Sequence, residues 1–141
     1  ATLSTDFVRR AGAAPSFRRV RWEAGPLVPV TTLDALIATH GRPDFVKIDV
    51  EGFELEVLMG LSQPLPALSF EFVPAVRDVA LGCIDRLEAL AGPGRYRYAV
   101  SLGEQQRLLR PEGEGAGAMR DWLQALPAHA PSGDVHAWLM A

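Results

Sequence analysis

Apolar residues change their period several times along the chain, and each change predicts an element. Over residues 45–50, Val46, Ile48 and Val50 fall on one side and Lys47 and Asp49 on the other, the two-residue period of a strand. Gly52 then turns the chain into a helix on which Leu55, Leu58, Met59 and Leu61 make a stripe. Glu54 suits the positively polarised first turn of that helix, and Gly60 with Pro64 marks its end. Residues 67–73 alternate again, with Leu68, Phe70 and Phe72 opposed to Ser69, Glu71 and Val73 until Pro74 closes the strand. Val76, Val79, Ala80, Cys83, Leu87 and Leu90 recur at spacings of three and four, which predicts a helix over 76–91 ending at Gly92-Pro93-Gly94.

The flanking segments are less regular. Ser4-Thr5-Asp6 can cap a short helix ended by Pro15, residues 17–22 read as extended, and 27–30 read as a strand interrupted by Pro29. Thr31 or Thr32 can cap a helix with Leu33, Leu36 and Ile37 on one face, stopped at Gly41. Strands over 96–102 and 106–109 flank the Gly103-Glu104 connection, a loop spans 111–117, a helix covers 118–126, and a last strand covers 135–140. Strands alternating with helices predict an α/β fold: a mostly parallel sheet with helices on its faces and an antiparallel C-terminal strand. The expectation is a single domain over residues 1–141, since 141 residues with 48% hydrophobic content bury one modest core.

Charge narrows the partners. Lys plus Arg number 14 against 17 Asp plus Glu, a formal charge of −3, which points away from nucleic acid and anionic membranes. Arg9, Arg10, Arg18, Arg19 and Arg21 form a local basic run, but they alternate with Phe17, Val20 and Trp22 as a solvated folded surface does. No apolar run approaches the roughly 20 residues of a membrane span, and the first residues lack a signal peptide's apolar core, so a soluble cytoplasmic chain is expected. Cys83 is the sole cysteine and reads as a buried reduced thiol; the sequence shows no metal-ligand cluster.

In parallel sheets, ligands sit beyond the carboxyl ends of the strands. Asp49 and Glu51 end one strand and Glu71 lies near the end of the next, so neighbouring strands would bring three carboxylates to one rim. Gly52 adds a tight turn and a helix start beside them. Lys47 inside an apolar strand needs a partner, with Asp49 or Glu71 the nearest; it is either a structural ion pair or part of a site. Glu71 is either a site residue or a carboxylate satisfied by neighbouring backbone. Glu54 is either a site residue or a helix-start carboxylate, since first-turn stabilisation would explain it without any ligand. His40, His129 and His136 have no evident nucleophile beside them, and Trp22, Trp122 and Trp138 read as packing residues.

The run Val30-Thr31-Thr32-Leu33-Asp34-Ala35-Leu36, then Asp44-Phe45-Val46-Lys47-Ile48-Asp49-Val50-Glu51-Gly52-Phe53-Glu54-Leu55-Glu56-Val57-Leu58-Met59-Gly60, resembles the FkbM methyltransferases, and Ser69-Phe70-Glu71-Phe72 fits as well. The likeness is specific over about 30–73 and topological afterwards. It implies the C-terminal half of a Rossmann-like class I methyltransferase domain, with S-adenosylmethionine as cofactor and a hydroxyl of a sugar or secondary metabolite as methyl acceptor. Asp49 and then Glu51 are its implied bases, with Lys47 and Glu71 beside them and Asp49, Glu51 and Gly52 toward the cofactor.

The resemblance also implies a departure. The Gly-rich strand-turn that grips the cofactor in such enzymes is not seen here, so the isolated chain is expected to be inactive and the 45–50 strand to lose a neighbour. Residues 17–30, or the same strand of a second copy in a homodimer, would cover that edge. The alternative is a non-catalytic half-domain that serves as a binding or assembly module. A magnesium-dependent phosphotransfer domain would require a phosphate-binding glycine-lysine loop, which the sequence lacks.

Overall fold

A computed structural model describes residues 2–11, 20–103, 105 and 107–141. Among the described residues, five helices and four strands follow in the order α1 (Thr5–Ala11), α2 (Leu33–His40), β1 (Val46–Ile48), α3 (Glu54–Met59), β2 (Ala67–Phe72), α4 (Asp78–Ala91), β3 (Tyr96–Leu102), α5 (Ala116–Ala125) and β4 (Gly133–Leu139), with a 3-10 turn at Pro74–Val76 before α4. The strands form one sheet in the order β1-β2-β4-β3.

The sheet corrects the expectation of mostly parallel pairing. Only β1 and β2 are parallel; β4 inserts antiparallel between β2 and β3. Parallel neighbours need a crossover, and α3 supplies one between β1 and β2, whereas β4 returns to the middle of the sheet from the end of α5 and meets both neighbours head to tail. The antiparallel C-terminal strand agrees with the sequence reading.

The helices differ from expectation too. Ile48, Leu68, Phe70, Phe72, Tyr96, Tyr98, Val100, Val135 and Ala137 share one core with Leu58, Cys83, Ile84, Leu87, Met119 and Leu123, so α3, α4 and α5 all pack on one face of the sheet. The other face carries Lys47, Ser69, Glu71, Asp134, His136 and Ser101, which a helix could bury only with a partner for each polar group.

Caps explain the element boundaries. Ser4 Oγ accepts the Phe7 N–H at 3.0 Å and starts α1, and Thr32 Oγ1 accepts the Ala35 N–H at 3.1 Å and starts α2. The Asp34 carboxylate accepts the Ser62 N–H at 2.9 Å and its own N–H donates to the Gly60 carbonyl, tying α2 to the end of α3. Residues 27–30 form no strand: Pro29 lacks a donor, and Leu27, Val28 and Val30 stand exposed. Pro15 and residues 17–19 lie outside the described residues, as do Glu104 and Gln106; Arg107, Leu108 and Leu109 are not a strand, though the Leu109 N–H donates to Val100. Cys83 is buried, and burial pushes its thiol pKa up, so it stays protonated and inert. Among the described residues, no helix is long and apolar enough to cross a membrane.

Candidate functional site

Ile48 of β1 lies opposite Phe70 of β2 in parallel register, which brings the carboxyl ends of these two strands side by side. Asp49 follows the last residue of β1 and Glu71 precedes the last residue of β2. Together with Lys47, Asp134, Gly103, Ser132 and Gly133 they line a cleft of about 220 Å³. Glu51 and Gly52 form the turn beyond β1 with φ of 51° and 88°; the first is a conformation a non-glycine residue adopts at a cost of about 1–3 kcal/mol.

Glu54 organises this turn. Its side chain is 2% exposed, and its two oxygens accept the Gly52 N–H at 3.1 and 3.0 Å. Burial raises its pKa, and the backbone donors oppose that rise. A side chain that turns back to a backbone donor just ahead of its own helix gives that N–H a partner and braces the turn. Gly52 also approaches α1 closely, since a Cβ there would overlap the Phe7 ring.

Glu71 carries the largest perturbation at the rim. Burial, followed by the negative charges of Glu54, Asp49, Glu51 and Asp134, pushes its carboxyl up to about 7. The carboxylates thus make a strongly negative rim that holds one proton near neutrality and favours a cationic ligand. Among the described residues no group of three His, Cys, Asp or Glu is placed to hold a metal ion.

Lys47 is half exposed, and its ammonium meets Asp134 at 3.2 and 3.3 Å and Asp49 at 3.6 Å. Burial works against its charge, but the hydrogen bond and charge of Asp134, then Asp49, raise its pKa. Asp49 was the partner expected from sequence. Asp134 was not singled out, and it replaces Glu71, the other expected partner.

A second cleft of about 510 Å³ continues from the first across the helix-free face, sharing Lys47, Gly103 and Asp134 and adding Ser69, Ser101 and His136. There Ser101 Oγ and His136 Nε2 are 3.0 Å apart. Burial holds the His136 pKa below its ordinary value, helped by Lys47 and opposed by Asp134. Sequence reasoning missed Asp134 and this pair. Their signal was present: Asp134 and His136 alternate with Val135 and Ala137, which places both on the polar face of the last strand.

The site therefore gathers Lys47, Asp49 and Glu71 with Asp134, and sets Glu51 and Gly52 in the adjoining turn. A larger, mostly apolar cleft of about 560 Å³, lined by none of Lys47, Asp49, Glu71 and Asp134, lies between residues 28–33 and α3, where Val50 and Phe53 help to line it. Residues 3–126 match the family described as the methyltransferase FkbM domain. No curated protein and no solved structure matches the chain.

Proposed function

Because the chain belongs to the FkbM methyltransferase family, we propose that its acidic rim is the acceptor side of an S-adenosylmethionine-dependent O-methyltransferase site. The observation that carries this reading is Glu71, a carboxyl raised to about 7 among four other carboxylates at the ends of a parallel strand pair. S-adenosylmethionine, when bound, supplies an electrophilic methyl group on a positively charged sulfur. The rim suits that charge, and Asp49, Glu51 and Gly52 are the residues that would face it. A hydroxyl is a weak nucleophile at neutral pH; Glu71, poised near 7, accepts its proton as the oxygen attacks. Asp49, the base expected from sequence, is paired with Lys47 and serves better as a fixed charge.

Further parts of the reading concern the surroundings. The acceptor is a hydroxyl of a sugar or secondary metabolite, for which the polar cleft around Ser69, Ser101 and His136 offers hydrogen-bonding groups. The reaction takes place in the cytoplasm, where Cys83 stays reduced. Among the described residues β1 pairs with β2 alone, which supports a cofactor-gripping strand and glycine-rich turn supplied to its free edge from chain beyond these residues. The isolated chain is then inactive.

The same free edge favours a second reading, an assembly module in which a second copy of the chain covers β1. Calorimetry of the complete reading frame with S-adenosylmethionine tests the first reading. Saturable binding is expected, about tenfold weaker in Asp49→Asn, which removes one charge from the rim. No binding at millimolar cofactor by a protein that contains the upstream turn sinks the enzyme reading.

A further inference from the structure

Lys47 reaches across a neighbouring strand to its partner. In the β1-β2 register Lys47 lies opposite Ser69, two residues before Glu71, whereas Asp134 lies opposite Glu71 one strand further out. The ammonium nevertheless crosses β2 and donates to both Asp134 oxygens, at 3.2 and 3.3 Å. Asp49, just beyond the end of β1, is its second partner at 3.6 Å.

We propose that Asp134 is a positioning residue of this site: by holding the Lys47 ammonium over β4, it keeps the cation off Glu71 and leaves that carboxyl free to take a proton from the acceptor. This rests on the reading of Glu71 as the proton acceptor. The physical ground is the choice open to one cation among neighbouring carboxylates. An ammonium in contact with a carboxylate lowers its pKa by about one to three pH units, which would turn Glu71 into a fully ionised, weakly basic group. Asp134 is well placed to prevent this, since its side chain is 24% exposed and less solvated than that of Asp49 at 57%, so its hold on the lysine is screened less by water.

The charged and titratable groups around Glu71 come from every neighbouring element: Lys47 from β1, Asp49 and Glu51 from the turn beyond it, Glu54 from α3, and Asp134 and His136 from β4. Of the four carboxylates that act on Glu71, Asp134 has the smallest direct effect. Removing its charge alone therefore changes Glu71 little, and releasing Lys47 changes it much.

Carboxyl-detected NMR titration of the chain separates the two. In Asp134→Asn, the midpoint of Glu71 is expected to fall by about one pH unit or more as Lys47 swings back to it. With Lys47→Met already present, the same substitution should produce less than half that fall. Asp134→Glu, which still reaches the lysine, should restore the original midpoint, and Asp134→Ser serves where the asparagine variant does not fold. An unchanged midpoint, or an equal fall with and without Lys47, overturns the proposal. These titrations involve no methyl transfer, so they decide the role of Asp134 independently of the calorimetry that decides the function.

Discussion

Glu71 and Asp134 are directly opposed across the antiparallel β2-β4 ladder, two carboxylates on one sheet face, and the Lys47 ammonium sits on Asp134. Like charges directly opposite one another destabilise a strand pair unless one is neutralised. Here the lysine neutralises Asp134 and, below about pH 7, a proton neutralises Glu71, since burial and the surrounding carboxylates raise the latter to about 7.

That proton makes stability depend on pH with a defined sign. A carboxyl at 4.5 when unfolded and about 7 when folded binds its proton more tightly in the folded state. Its contribution is fully present below pH 4.5 and is lost as pH rises to about 7, by roughly 3 kcal/mol at 1.36 kcal/mol per pH unit. Glu71→Gln, which cannot ionise, should therefore match the parent near pH 4 and be about 1–3 kcal/mol more stable near pH 8. Urea unfolding at the two pH values measures this, and a variant no more stable at the higher pH would show that Glu71 ionises as an ordinary carboxyl.

Glu54 is a buried carboxylate with a structural job. Its removal in Glu54→Ala strips the Gly52 N–H of its acceptor and leaves a hole where a 2%-exposed side chain stood. A loss of about 2–3 kcal/mol is expected. Glu54→Gln keeps one acceptor oxygen and should lose about half as much. Equal stability of the alanine variant and the parent in chemical denaturation would mean that the turn does not depend on this contact.

Gly52 is constrained twice, by a φ of 88° and by the Phe7 ring where a Cβ would stand. Gly52→Ala should destabilise by about 2 kcal/mol or more. Phe7 packs with Val73, Val76 and Ala11 and meets Trp22 edge-on at 6.2 Å, so the NMR resonances of α1 and Trp22 should shift most. Shifts confined to β1 and α3 would show that α1 does not bear on the turn.

The sequence made the site more legible than the sheet around it. Alternation over Val46, Ile48 and Val50 and over Leu68, Phe70 and Phe72 placed both strands, and their polar partners Lys47, Asp49 and Glu71 do line one cleft. Thr32 and Gly41 bounded α2 as their chemistry requires. Strand order was not legible, because nothing local in residues 133–139 tells that β4 inserts between β2 and β3. That insertion carries Asp134 to the site, so the true partner of Lys47 lay 87 residues away and beyond any reading of the strand itself. Residues 27–30 failed for a different reason: β-propensity without a partner strand leaves backbone groups to water.

The edge of β1, unpaired among the described residues, makes the assembly reading testable in detail. Antiparallel pairing with a second copy is two-fold symmetric, so its register has a central residue that meets itself. Centred on Lys47 it would oppose two lysines; centred on Ile48 it places Lys47 opposite Asp49 of the partner chain twice and keeps Val46, Ile48 and Val50 on the apolar side. The apolar cleft along residues 28–33 lies beside the same strand end and would extend the contact. A dimer in this register should be weakened by Lys47→Asp or Asp49→Lys alone and regained when the two are combined, as sedimentation equilibrium would show. A monomeric chain at high micromolar concentration, unaffected by the charge exchange, leaves the edge of β1 to a strand from elsewhere and removes the assembly reading.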